Sequence, residues 1–192
     1  MIIQPMKATP RLDDFSFLVA DDSIVVRNVI KWLLKSCHAR EISEAADGAH
    51  AQTVFKSFSP DIVLVDWEMR PVDGLTFVKH VRDLKVSPDP YVSIIIMSSH
   101  RKCRRALVAR DAGVDAFVTK PISRAGLLGA IQSVIDNPRP YTICDSYFGP
   151  DRRRAQRDHD GPERRELRYL SSQRARNQNR WAAASREIHL DL

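Results

Sequence analysis

Apolar runs that stop abruptly at a polar residue recur through most of this 192-residue chain. Residues 15–20 read as a strand ending at Asp21-Asp22-Ser23, and Ile62-Val63-Leu64-Val65 runs straight into Asp66. Residues 92–97 stop at Ser98-Ser99, and Ala116-Phe117-Val118 stops at Thr119-Lys120-Pro121. Short continuous apolar runs of this kind fit strands buried on both faces. A fifth, shorter strand is expected at residues 41–45.

Between these runs the apolar positions change to helical spacing. Val26, Val29, Ile30 and Leu33 form the first set, after Ser23 as a cap. Ala51, Val54, Phe55 and Phe58 form the second, and Leu75, Phe77, Val78, Val81 and Leu84 the third. A helix over residues 101–112 presents Ala106, Leu107 and Val108, with Gly113 suited to its C-terminal turn. Ser123 opens a last helix carrying Leu127, Leu128, Ile131, Val134 and Ile135, which stops before Asn137-Pro138. Five strands alternating with five helices predict an α/β fold with right-handed crossovers and a parallel sheet covered on both faces. The alternation does not give the strand order.

In such a sheet ligands bind outside the carboxyl ends of the strands. Those ends carry Asp21-Asp22, Asp66, Ser98 and Lys120, so residues far apart in sequence converge on one edge. Taken singly, each is an ordinary feature: an acid pair starting a helix, a strand-terminal turn, a capping hydroxyl, a solvated lysine. Together, three carboxylates repel unless a cation compensates. Hard oxygen ligands on an open edge suit Mg²⁺, which commonly bridges carboxylates to a phosphate. A lysine and a hydroxyl nearby supply what a phosphoryl oxygen needs. The residues therefore point to a Mg²⁺-dependent phosphoryl-transfer site in which Asp66 is a candidate nucleophile.

Composition narrows the class further. No run approaches the roughly 20 apolar residues of a membrane span, so no membrane insertion is expected. Three widely spaced cysteines (Cys37, Cys103, Cys144) with no CxxC pair suggest free thiols in a reducing cytoplasm. There is no HExxH, P-loop or dinucleotide fingerprint. Of the net charge of +6, residues 149–192 hold +4, from eleven arginines against seven acids. The basic character belongs to the tail.

The quoted residues resemble the receiver domain of bacterial two-component response regulators, a CheY-like domain of flavodoxin-like fold. Five sites match in type and spacing over residues 15–137: Asp21-Asp22, Asp66 with Met69 and Asp73-Gly74 beyond it, Ser98, Phe117, and Lys120-Pro121. The resemblance implies a doubly wound five-stranded parallel sheet of order 2-1-3-4-5. It implies that Asp66 is the phosphoacceptor, fed by a sensor histidine kinase or a histidine phosphotransfer protein. Asp22, Asp66 and the backbone carbonyl of Glu68 correspond to direct Mg²⁺ ligands, with Asp21 acting through water. Lys120 corresponds to the residue that pairs with phosphoryl oxygens, and a cis peptide is implied before Pro121. Ser98 and Phe117 correspond to the switch pair, and Glu68 and His100 fall where the family tunes phosphoryl lifetime. The implied role is a phosphoacceptor switch rather than an enzyme acting on other substrates, monomeric or dimerising on phosphorylation. Arg70 stands where the family usually has proline, with Pro71 one place later, and Ser98 replaces the commoner threonine.

This reading divides the chain into a flexible lead-in (1–12), a receiver domain (13–138) and an Arg-rich extension (139–192), partly disordered or helical. Within the extension, Gly149-Pro150-Asp151-Arg152-Arg153 recurs as Gly161-Pro162-Glu163-Arg164-Arg165. Three readings of it stay open: a solvated extension, a protein-docking segment anchored by Tyr147-Phe148, or a nucleic-acid arm formed by residues 149–192. Signalling by contact with a downstream protein, service as a phosphate shuttle or sink, and nucleic-acid regulation through the tail are accordingly all carried forward.

Overall fold

Successive side chains of a strand point to opposite faces of its sheet, so each apolar run here has to be covered twice. The computed structural model describes residues 12–99, 103–144, 147–151 and 166–168. In chain order these form β1 (Ser16–Ala20), α1 (Ile24–Lys35), β2 (Glu41–Ala45), α2 (Gly48–Phe58), β3 (Ile62–Asp66), α3 (Gly74–Arg82), β4 (Ser93–Ser98), α4 (Cys103–Asp111), β5 (Ala116–Thr119) and α5 (Arg124–Asp136). Beyond α5 lie three short strands: β6 (Tyr141–Cys144), β7 (Tyr147–Pro150) and β8 (Glu166–Arg168).

The main sheet has the order β2-β1-β3-β4-β5 with every pairing parallel. This is the doubly wound, flavodoxin-like arrangement expected from the sequence. Alternation divides the core cleanly. Phe17, Val19, Ile62, Leu64, Ile95 and Met97 pack with Ile30, Leu34, Leu127 and Ile131 on the α1/α5 side. Leu18, Ala20, Val63, Val65, Ile94 and Ile96 pack with Phe55, Phe77 and Val78 on the α2/α3 side. Register places Asp66 opposite Met97, and Ser98 opposite Thr119, so the polar residues that end these runs reach one edge.

Local chemistry fixes the helix starts. Ser23, Asp47, Asp73 and Ser123 each accept a hydrogen bond from a backbone N–H of the helix they precede, which satisfies an orphan donor of the first turn. Gly113 adopts φ +93° after α4, a left-handed position that suits glycine. A Cβ there would also crowd Arg82 and the Phe148 carbonyl.

Residues beyond both limits read from the sequence pack against the sheet and its helices. Leu12 is fully buried and its N–H donates to the Cys37 carbonyl, so the packed core includes the last residue assigned to the lead-in. At the other end, the regular structure among described residues beyond 138 is strand, not helix. β6 pairs antiparallel with β7 and with β8, and the hairpin packs on the amino ends of β4 and β5. Tyr141 is fully buried and donates its hydroxyl to the Tyr91 carbonyl at 3.1 Å. Tyr91, Tyr141 and Phe148 form a three-ring cluster with centroids 5.1–5.4 Å apart. Tyr147-Phe148, the anchor in the protein-docking reading, makes contacts within this chain: Phe148 joins the ring cluster, and the Tyr147 hydroxyl donates to the Pro150 carbonyl at 2.8 Å. The aromatic residues near the start of the extension have a nonpolar surface to cover, which outweighs the polar composition of residues 152–192. Residues 152–165 and 169–192, with most of the repeat and the arginines, lie outside the described residues.

Beneath the hairpin, Arg82 is buried against Asp115 at 2.9 Å. Its remaining donors reach the carbonyls of Gly113, Pro90 and Val92, and the Tyr141 ring covers the guanidinium at 5.3 Å. Asp115 also accepts from the Ile94 N–H at 2.8 Å.

Candidate functional site

At the opposite edge, β1 delivers Asp21 and Asp22, β3 delivers Asp66, and the turn after β5 delivers Lys120. Asp21 is fully buried while Asp22 is exposed. One Asp21 oxygen accepts from the Ser23 N–H at 2.9 Å and the other from Lys120 Nζ at 2.7 Å. Arg27 donates to the Asp21 backbone carbonyl at 2.7 Å and is itself paired with Glu44 at 3.2 Å. This ties the β1 end to α1 and β2. Asp66 is 4% exposed, and Lys120 Nζ lies 3.0 Å from its Oδ1.

Burial pushes the Asp66 carboxyl above its ordinary range; Lys120 opposes this, while the charges of Asp21 and Asp22 add to it. Burial pulls the other way on Lys120, but its bonds to Asp21 and Asp66 outweigh it and hold the ammonium above its usual range. The lysine is therefore charged at neutral pH and shared by two buried carboxylates. Among the described residues, three clustered acids meet this one ammonium, which leaves an excess of negative charge.

One carboxylate oxygen from each of Asp21, Asp22 and Asp66 lies within 4.8 Å of the other two. An all-oxygen cluster with surplus negative charge, closed by Lys120 on one side, fits a hard divalent cation such as Mg²⁺. Asp73-Gly74 shapes the adjoining loop. Asp73 caps α3 through the Thr76 N–H at 2.7 Å. A Cβ on Gly74 would overlap the Asp66 carbonyl oxygen, so the close approach demands glycine. The peptides before Pro71 and Pro121 are both cis. With Arg70 and Pro71 in this loop, Gly74 is still brought against Asp66.

Ser98 is fully buried at the end of β4, and its carbonyl accepts from the Lys120 N–H at 2.8 Å. Phe117 is half-buried on β5 and packs against the α2/α3-side core. Glu68 extends into solvent from the loop after β3 and pairs with Arg105 at 2.8 Å. His100 lies outside the described residues. Asp21, Asp22, Asp66 and Lys120 thus come together, Ser98 is joined to them through the Lys120 N–H, Glu68 is paired with Arg105, and Phe117 belongs to the α2/α3-side core. Sequence reasoning missed Arg105, which also reaches Ser98 Oγ at 3.4 Å and covers the Trp67 ring at 5.2 Å. In the sequence it is one cation of a basic stretch and reads as a solvated helix face.

An open groove of about 1040 Å³ lies elsewhere, between α4 and α5 over β5, and none of the acidic cluster lines it. No described helix is long and apolar enough to cross a membrane.

Comparison with known proteins gives the same frame. The response regulator receiver domain matches residues 17–132. The chain is 30% identical over 119 residues to chemotaxis protein CheY of Bacillus subtilis, covering 62% of this chain and 96% of that protein. It is 38% identical over 129 residues to a protein-glutamate methylesterase/protein-glutamine glutaminase of Chromobacterium violaceum, covering 65% of this chain but only 34% of the relative. Among solved structures, the CheX-CheY-BeF3-Mg complex from Borrelia burgdorferi aligns with TM-score 0.57 and 28% identity, covering 62% of this chain and 88% of that one.

Proposed function

Because the chain belongs to the response regulator receiver domain family, we propose that it is a phosphorelay switch that accepts a phosphoryl group on Asp66. The observation that carries this reading is the shared lysine: one ammonium bridges buried Asp21 and buried Asp66, beside a third carboxylate. In the proposed reaction an Asp66 oxygen attacks phosphorus, and the P–N bond of a phosphohistidine breaks as the P–O bond forms. Asp66 needs to be ionised for this, and the fold makes ionisation costly without a second cation. Asp21, Asp22, Asp66 and the Glu68 carbonyl would hold Mg²⁺, which when bound supplies charge neutralisation for the transferring group.

Lys120 keeps a fixed positive charge where phosphoryl oxygens would arrive, and the Ser98 hydroxyl is the neighbouring donor. Receiver domains act as phosphoacceptor switches, and transfer from a histidine kinase or histidine phosphotransfer protein is the corresponding input. Output is assigned to protein contact over α4, β5 and α5, where the open groove lies. Methylesterase activity is not carried over, since the match covers a third of that relative.

The test is incubation with Mg²⁺ and a small acyl phosphate, with intact-mass measurement as the readout. One phosphoryl adduct is expected on the wild type and none on Asp66→Asn. An unmodified wild type, or undiminished addition to the variant, would sink the reading.

A further inference from the structure

Arg105 lies outside the residue set that the sequence suggested, yet three of its contacts belong to the acidic edge. Its guanidinium pairs with Glu68 at 2.8 Å, lies over the Trp67 ring at 5.2 Å and points NH1 at Ser98 Oγ from 3.4 Å. Trp67 and Glu68 are the two residues after Asp66, and Ser98 ends the strand paired with β3. The arginine therefore reaches from the start of α4 to the mouth of the Asp66 pocket.

Stability does not call for this arrangement. Glu68 is 48% exposed in the pair, and exposed ion pairs contribute little to folding. The charge balance suggests a different use. A phosphoryl group on Asp66 would bring further negative charge to a pocket already rich in carboxylates. A guanidinium is the side chain best shaped to answer phosphate oxygens with parallel N–H donors.

Resting on the assignment of Asp66 as phosphoacceptor, we infer that Arg105 is a second phosphoryl-binding cation, held in reserve by Glu68 and transferred to the phosphoryl oxygens as Ser98 turns toward them. NH1 already lies between the Glu68 carboxylate and the Ser98 hydroxyl, so the exchange is a short movement along contacts that exist at rest. Glu68 competes with the phosphoryl group for the same donor. Because Arg105 sits near the start of α4, the exchange draws that end of the helix toward the site. Trp67 gives the guanidinium a flat surface across which to move.

Titration of the full chain with beryllofluoride at saturating Mg²⁺, read as apparent affinity from tryptophan fluorescence, tests this. Arg105→Ala is expected to bind about tenfold more weakly, and Arg105→Lys to recover part of that loss, since a lysine keeps the charge but not the fork. Glu68→Gln is expected to bind about threefold more tightly, because the competitor has been neutralised. A merely structural arginine would not give opposite signs for the two partners of one ion pair. Wild-type affinity in Arg105→Ala, or weakening in Glu68→Gln, overturns the inference while leaving Asp66 in place. If the wild type takes no beryllofluoride, or Asp66→Asn takes it equally well, the phosphoacceptor reading fails and this inference with it.

Discussion

At the amino ends of β4 and β5, one buried guanidinium meets one buried carboxylate. At the carboxyl ends of β1, β3 and β5, one ammonium is divided between two buried carboxylates with a third alongside. The chemistry is similar and the sheet is the same, but the balance of charge and hydrogen bonds differs. Arg82 directs donors to Asp115 and to three backbone carbonyls, and Asp115 also receives the Ile94 N–H. Lys120 holds Asp21 and Asp66 at 2.7 and 3.0 Å, yet burial, with the neighbouring acids adding to it, raises the Asp66 carboxyl. A buried pair with matched charge and filled donors acts as a structural joint. A buried cluster with unmatched charge invites a ligand, and the fold carries its cost until one arrives.

The comparison breaks most readily at the joint. Arg82→Met leaves Asp115 buried without its cation and is expected to cost about 3–5 kcal/mol, the range for breaking one side of a buried pair. Urea denaturation measures this, and a loss below about 1 kcal/mol, the scale of an exposed pair, would show that the pair is not a joint. A finer probe is Tyr141→Phe, which keeps the ring over Arg82 but removes the hydroxyl bond to the Tyr91 carbonyl. About 1 kcal/mol should be lost, the usual size of one hydrogen bond. An unchanged midpoint would mean that the ring alone secures the hairpin.

The acidic edge should respond with the opposite sign and a smaller change. In chelator at neutral pH, Asp66→Asn is expected to melt higher than wild type, because an amide carries no charge to bury. The folded Asp66 has a raised pKa, so folding favours its protonated form. Below the unfolded-state value both forms are protonated and the penalty is absent. It grows as pH rises from the unfolded value towards the folded one, and is constant above that. The variant's advantage should therefore shrink on acidification. A variant that melts lower than wild type at neutral pH would contradict the contrast between the two edges.

Legibility in the sequence divides along the same line. Asp21, Asp66, Ser98 and Lys120 could be found because each interrupts an apolar run at the same structural position, the end of a parallel strand. The two-sided core was legible for the same reason, while the strand order came from family resemblance and not from pattern. Arg82 escaped notice because a basic residue in the last turn of a helix ordinarily faces solvent and complements the helix dipole. Arg105 was hidden in a basic stretch that reads, by composition alone, as a solvated helix face. The hairpin was missed because the charge of residues 149–192 dominated the reading of a segment whose first ten residues are mostly uncharged and partly aromatic. Long-range partners such as Tyr91 for Phe148 leave no local periodicity to read.

The position of Tyr141 over Arg82 bears on how this receiver could be recombined with other modules. A chimera that joins a foreign output module directly after α5 would discard the ring and open the Arg82–Asp115 joint to water. Joining after Asp151, whose N–H donates to the Pro140 carbonyl at 2.7 Å, keeps the hairpin whole. The transplantable unit is therefore longer than the stretch that family similarity marks out, and it includes at least β6 and β7.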